Sequence, residues 1–519
     1  MKLTRTADLW WKNAVVYCLD VETFHDSDGD GHGDFRGLTQ QIDHLHRLGV
    51  TCLWLMPFFP TPDRDDGYDI TDFYGVDPRL GTLGDLAECV RTARDRGMRV
   101  IADLVVNHTS AQHPWFQEAR DPASPRHDWY VWADEKPAGG DEGVIFPDQE
   151  SSLWTCDRKA KQYYLHKFYK HQPDLNVANP AVRDEIARVM GFWMELGLSG
   201  FRVDAVPFLL EAPVESLPDP HDYLGDLRAF LSRRNGEAVL LGEVNLPYAD
   251  TMKFFGNPDG VGDELHLCFD FIGMQQLYLS LARQEASSLA HALKERPQPP
   301  RDCHWATFVR NHDELTLDKL TVPERQEVFA AFGPEEDMQL YGRGLRRRLP
   351  SMLGGDLKRI KLVYSLLFSL PGTPVLFYGE EVGMIEDLSI PGREAVRTPM
   401  WWDAAAEQRR DPDSLLTWIR LLVERYRECP ELAWGTYQIL DTADPAVLAH
   451  RCDIDDGTVL AVHNLSDRNA KIKVDKLTGD LTDLLVDGTV PVKQGAASID
   501  LGPYDCRWFR ARGKADRTS

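Results

Sequence analysis

The chain has 519 residues, of which 43% are hydrophobic and 27% charged, and its formal net charge is −24. That length exceeds one small domain and suits a barrel with attachments, and the apolar fraction can fill a large core. The excess of acid argues against nucleic acid and anionic membranes as partners, both being polyanions, and fits a neutral substrate.

The opening residues, MKLTRTADLWWKN, hold no apolar stretch that could act as a signal peptide. Of the longest apolar regions, CLWLMPFFP is too short to span a bilayer. The other, LVYSLLFSLPGTPVLFY, is broken by Pro371, Gly372 and Pro374. A soluble, cytoplasmic protein is expected, and nothing in the sequence sets an oligomeric state. The cysteines (Cys18, Cys52, Cys89, Cys156, Cys268, Cys303, Cys429, Cys452 and Cys506) are odd in number and form no C-x-x-C. Several lie in apolar runs such as VVYCLD and TCLWLM, so buried, reduced thiols are expected.

In chain order, the strand-like NAVVYCLD leads into an acidic turn, DSDGDGHGD. Asp26, Asp28 and Asp30 take positions 1, 3 and 5 of an EF-hand-type loop, Gly31 takes 6, His32 offers its carbonyl at 7, and Asp34 takes 9. Gly37 stands where the bidentate Glu of position 12 belongs, so this is not an EF-hand proper. Four carboxylates within nine residues call for a cation, and a structural Ca²⁺ is expected; a solvated acidic turn is the alternative. The helical LTQQIDHLHRLG follows, then the strand TCLWLMPF, the group Asp65, Asp66, Gly67 and Tyr68, the helix DLAECVRTARDRG and the strand RVIADLVVN. This alternation predicts right-handed crossovers and a parallel sheet.

The rhythm breaks after His108. Residues 109–175 are rich in Trp, His, Asp and Pro without clear period, and an insertion of that length marks a functional face. The rhythm resumes with the helix AVRDEIARVMGFWMELG and the strands GFRVDAV, AVLLGEVN, LCFDF, WATFVRNHD and PVLFYGEE. After about Thr436, short strands separated by Asp-Gly and Gly turns predict an antiparallel β-sandwich. The polar tail GKADRTS is expected to fray.

Four segments begin apolar and end in chemically able residues: DLVVNH, GFRVDAV, GEVN and FVRNHDE. That is the pattern of a (β/α)8 TIM barrel whose strand ends open onto one site. The expected organisation is a barrel of residues 1–108 and 176–435, an inserted domain of 109–175 and a sandwich of 436–513. Asp204, Glu243 and Asp313 would converge, and two carboxyl groups about 5–5.5 Å apart are the apparatus of a retaining glycoside hydrolase. A carboxylate at Asp204 would act as nucleophile, forming a glycosyl ester. Arg202, two residues earlier on the same strand face, would keep it ionised. Glu243, after the apolar LLG, would be a general acid–base with a raised pKa.

These segments, in this order, together with QPDLN (Gln172 to Asn176) and GTPVLFYGEE (Gly372 to Glu381), resemble glycoside hydrolase family 13, the α-amylase superfamily, over nearly the whole chain. MPFFPTPDRDDGYDITDFYGVDP, FVRNHDELTL and VRTPM are most similar to its trehalose synthase and α-glucosidase branch. The resemblance implies a small α-glucoside substrate, processed by hydrolysis, by glucosyl transfer or by maltose–trehalose isomerisation. It implies that Asp313 holds the distorted sugar and that His108 and His312 donate hydrogen bonds to it. It further implies that Asp65 pairs with Arg397 to grip the terminal glucose, that Tyr68 stacks on the same ring, and that the Asp26–Asp34 turn carries calcium. After RTPMWW the family usually continues with Asn-Ala-Gly-Phe and a further lobe, whereas here DAAAEQRRDPDSLLTW enters the next helix at once, predicting a more open acceptor side. A different class, a catalytically inactive sugar-binding or transporter-associated subunit, usually lacks the nucleophile or the acid. Here Asp204, Glu243 and Asp313 are all present.

Overall fold

Eight short apolar segments form a closed parallel barrel: β1 (Val16–Leu19), β2 (Cys52–Leu55), β3 (Arg99–Leu104), β4 (Gly200–Val203), β5 (Val239–Gly242), β6 (Leu267–Phe269), β7 (His304–Phe308) and β8 (Thr373–Phe377). The computed structural model describes residues 9–512 apart from 148, 211–218, 258–260, 455–456 and 478, so the tail GKADRTS and the first eight residues lie outside the described residues. Closure comes from β1, which pairs with β2 (Val16 opposite Cys52) and with β8 (Val16 opposite Val375). Every residue of β1, β2, β4, β5 and β8 is buried, because helices cover the outer face while side chains fill the interior.

The crossover helices carry the signals that start and stop them. The Asp34 side chain accepts from the Gly37 N–H to cap Phe35–Leu48, and Gly49 ends that helix at φ 92°, a left-handed conformation that an L side chain resists. Thr82 and Asp85 form a reciprocal capping box on Leu83–Asp95.

The insertion after β3 holds a small antiparallel sheet, in which Gln162–Leu165 lies between Trp132–Ala133 and Trp154–Asp157. It returns to the barrel through an isolated bridge between His108 and Asp174, with the Leu175 N–H donating to the Asn107 carbonyl at 2.8 Å. A second small sheet absent from the sequence reading joins Leu315–Thr316, Gly344–Leu345 and Gln339–Leu340 above β7.

The C-terminal unit packs a six-stranded antiparallel sheet against the pair Ala470–Val474 and Ala497–Leu501. Those two strands alternate buried and exposed along their length, and Ile472, Val474, Ile499 and Leu501 meet Leu460, Val462 and Phe509 in a second core. All nine cysteines are free thiols. Eight are buried; Cys156 is exposed, contrary to the expectation, because Trp154–Asp157 is an edge strand of a thin sheet. Among the described residues no helix is long and apolar enough to cross a membrane.

Candidate active site

The C-terminal ends of the barrel strands surround a cavity of about 370 Å³. Asp204 follows β4, Glu243 follows β5 and Asp313 follows β7, and all three line it with Asp65, Tyr68 and His108. Arg202, on β4, is fully buried beneath them. One of its nitrogens, Nη1, reaches Asp204 Oδ1 at 2.6 Å and also binds Asp103; the other, Nη2, reaches Glu243 Oε2 at 2.6 Å. One guanidinium thus spans the two carboxylates expected to do the chemistry. The Trp54 ring lies 5.2 Å from that guanidinium, and its N–H donates to Asp103, fixing the floor.

Burial raises Asp204 to about 6, against the pull of Arg202, and raises Glu243 to about 7 for the same reason. Burial thus pushes both carboxyls up towards neutrality, Glu243 the further of the two. Burial also acts on Asp313, but the guanidiniums of Arg393, Arg397 and Arg202 outweigh it and hold its carboxyl well below the usual range. His108, at about 4, and His312, also held well below its ordinary value, are kept neutral by burial. His312 Nε2 lies 2.7 Å from the Tyr68 hydroxyl and 3.3 Å from Asp313 Oδ2, and the two rings are parallel at 9°. His108 Nε2 faces the Tyr68 carbonyl at 3.2 Å. Tyr68, His312 and His108 therefore brace one another along the cavity wall.

The expected pair of Asp65 with Arg397 does not form. Asp65 Oδ1 is bound at 2.5 Å by Arg393 Nη2, whose Nη1 reaches Asp313 Oδ1 at 2.6 Å. Arg397 instead binds Asp66, donates from Nε to the His312 carbonyl at 2.9 Å and reaches Asp313 Oδ1 at 3.2 Å. The reason is geometric. Arg393 lies in the turn Gly392–Val396 and lines the cavity, whereas Arg397 is buried behind Asp313 and His312. Gln172 of QPDLN donates to Asp65 Oδ2 at 2.8 Å, tying the inserted domain to this corner. The sequence reading therefore missed Arg393, four residues before the arginine of the R-T-P-M motif, and the roles of Asp66 and Asp103.

It also missed Ala205. This residue sits at φ 47°, uncommon for a side chain other than Gly, Asn or Asp, and its N–H donates to Glu243 Oε2 at 3.2 Å. Glu243 Oε1 is left without a protein partner among the described residues.

Of the calcium-ligand candidates, Asp26, Asp28 and Asp34 bring carboxylate oxygens within 4.8 Å of one another; the Asp30 carboxylate and the His32 ring are outside that group. Asp30 Oδ1 accepts from the His32 N–H at 2.8 Å, and the His32 ring turns to Glu22 at 2.9 Å. Asp26 accepts from the Gly29 and Gly31 N–H groups, and Asp34 from those of Ser27 and Gly37. The turn is thus already organised by its own backbone, with three carboxylates facing one point.

Residues 20–325 match the family model of the α-amylase catalytic domain, and residues 457–510 match that of the sucrose hydrolase-like C-terminal domain. Trehalose synthase of Thermus thermophilus is 40% identical over 96% of this chain, which spans only 55% of that relative's length. Trehalose synthase of Pimelobacter sp. is 38% identical over 96% of each chain. Both alignments, at 546 and 549 positions, are longer than this whole chain of 519, so the relatives carry segments that it lacks. The crystal structure of an α-amylase from H. orenii overlays at a TM-score of 0.79, with 26% identity, covering 96% of this chain and 100% of that one. With the barrel, the three carboxylates at its strand ends and these matches together, the chain belongs to the α-amylase family of enzymes, glycoside hydrolase family 13.

Proposed function

We propose that this protein processes short α-glucosides with retention of configuration, by hydrolysis or glucosyl transfer through a covalent glucosyl-Asp204. The observation that carries the reading is Arg202 joining Asp204 to Glu243 at the floor of a cavity walled by the Asp65–Arg393 pair. Protonated Glu243 gives its proton to the glycosidic oxygen while an Asp204 oxygen attacks the anomeric carbon, so that the glycosidic bond breaks as the ester forms. Glu243, now a carboxylate, takes a proton from water or a sugar hydroxyl as that oxygen displaces Asp204. Asp313, held ionised, and neutral His108 and His312 bind sugar hydroxyls, and Asp65 with Arg393 grips the non-reducing end.

Maltose–trehalose isomerisation on the same residues is the second reading, favoured by the two trehalose synthase relatives. It requires the released glucose to be held while the ester persists. Here the helix Trp402–Gln408 begins directly after R-T-P-M-W. Proton NMR of separate incubations with maltose and trehalose decides among the outcomes. We expect glucose appearing first as the α-anomer, or new oligosaccharides. Trehalose from maltose with little free glucose would establish the isomerase, and β-glucose as first product would contradict the whole scheme.

The pH profile of kcat/KM should be bell-shaped. Activity falls on the acid side as Asp204, near 6, takes a proton, and on the alkaline side as Glu243, near 7, loses one. Because Arg202 links them, the two apparent values belong to the pair. A profile flat from pH 5 to 9 would refute these assignments.

We further propose that the Asp26–Asp34 turn holds one structural Ca²⁺, on Asp26, Asp28 and Asp34, apart from the chemistry. Calcium at about a hundred times its Kd would add about 2.7 kcal/mol of stability. Chelation should therefore lower the melting temperature by a few degrees, reversibly, with initial rates at 25 °C unchanged. Identical melting with and without chelator would dismiss the ion.

A further inference from the structure

A second cavity, of about 210 Å³, opens on the outside of the barrel between the helices Phe35–Leu48 and Leu415–Glu428. Its polar lining is cationic: Arg47, Arg409 and Arg420, with His44 and Thr417. No carboxylate lines it, and none of the three arginines makes an ion pair among the described residues. That is unexpected in a chain with 82 acidic and 58 basic residues, where most arginines could find a carboxylate.

Local structure explains only part of the cluster. Arg47 and Arg409 lie at helix C-termini, where the helix dipole favours cations. Yet several of the terminal carbonyls there are taken: His46 and Leu45 accept from Gly49, Leu45 also from Val50, and Ala405 and Glu407 accept from the Arg409 and Arg410 N–H groups. Apart from the Arg409 Nη2 that His44 takes up, the guanidinium donors are left over. Arg420 lies within the helix Leu415–Glu428 and has no such excuse.

One of the three is also positioned. His44 is buried, and its Nδ1 lies 3.2 Å from Arg409 Nη2 while its Nε2 lies 3.1 Å from Glu381 Oε1. A guanidinium can only donate, so Nδ1 accepts and Nε2–H donates to Glu381. The ring thereby aims the Arg409 head. Burial first, and then the nearby charge of Arg47, lower the affinity of Arg409 for its proton, while Glu381 raises it. An anion would offset the repulsion between the two arginines.

We propose that this cavity binds the phosphoryl group of a small phosphomonoester. Planar guanidiniums match phosphate oxygens two at a time, and three of them suit a dianion better than a carboxylate. Leu48 and Leu416 supply an apolar wall for a short carbon skeleton. The cavity reaches the segment that follows R-T-P-M: the His44 ring packs edge-on against Trp402, 5.2 Å between centroids, five residues beyond Arg397. The site is independent of the α-glucoside reading.

The test is titration calorimetry of the full chain at low ionic strength with inorganic phosphate, with glucose 6-phosphate and with glucose. We expect one saturable site for a phosphate species that glucose does not occupy. Arg409→Gln, and separately the double variant Arg47→Gln/Arg420→Gln, should each weaken it by about tenfold or more, ~1.4 kcal/mol. Unliganded melting equal to the parent would show that the variants fold, and the phosphate-induced rise in melting temperature should vanish in them. Binding of glucose 6-phosphate alone assigns the ester, and equal binding of both assigns the phosphoryl group alone; either supports the site. No saturable phosphate binding, or binding that both arginine variants leave intact, overturns it.

Discussion

Replacing Asp204 by Asn should lower kcat by about four orders of magnitude or more, as losses of an essential nucleophile do. The fold should survive. Asp204 is one of three carboxylates on Arg202, so its removal leaves that guanidinium with Asp103 and Glu243 rather than alone. The amide oxygen can still accept from Arg202, and the melting temperature should stay within a few degrees of the parent. Steady-state rates beside a thermal melt check both halves. Retention of a tenth of the activity or more would show that another residue attacks the sugar.

The opposite result is expected for Arg202→Leu, which should damage stability and activity together. Arg202 is fully buried, and Asp103, equally buried, depends on it for its charge balance. Removing one partner of a buried ionic group costs about 3–5 kcal/mol, because the remaining charges lack compensation. The carboxylates respond by holding protons. Arg202 is the main influence lowering Asp103, Asp204 and Glu243, so its loss should move the acid limb of any residual activity upward in pH. Urea unfolding and a pH–rate profile measure these effects. Unchanged stability would mean that the three carboxylates are already neutral in the resting protein.

Much of this architecture was legible because barrel strands are buried on both faces. VVYCL, CLWL, VLLG and TPVLF read as uninterrupted apolar runs, and each became a barrel strand. The strands of the inserted domain did not, because segments of two to four residues, such as Trp132–Ala133, are too short to display a period. The same limit hid Cys156, whose exposure depends on its strand being an edge.

The cavity was legible one residue at a time and less so in its pairings. Asp65 and Asp66 are adjacent, Arg393 and Arg397 are four apart, and which acid meets which base depends on the turn Gly392–Val396. A motif that names one arginine cannot reveal the other. Ala205 carried no signal, since its left-handed backbone is imposed by its neighbours rather than by its side chain. In the acidic turn, ligand spacing could not show that Asp34 is also the N-cap of a helix, nor that Asp30 turns its carboxylate to the His32 N–H.

The claim on which the scheme rests is a glucosyl ester on Asp204. It can be trapped in Glu243→Gln with α-glucosyl fluoride, whose leaving group needs no acid, whereas the second half-reaction needs the missing base. Intact-mass and peptide mass spectrometry should find one anhydroglucose unit added, on the peptide containing Asp204. Fluoride release with no adduct, or an adduct on a different residue, would contradict the account.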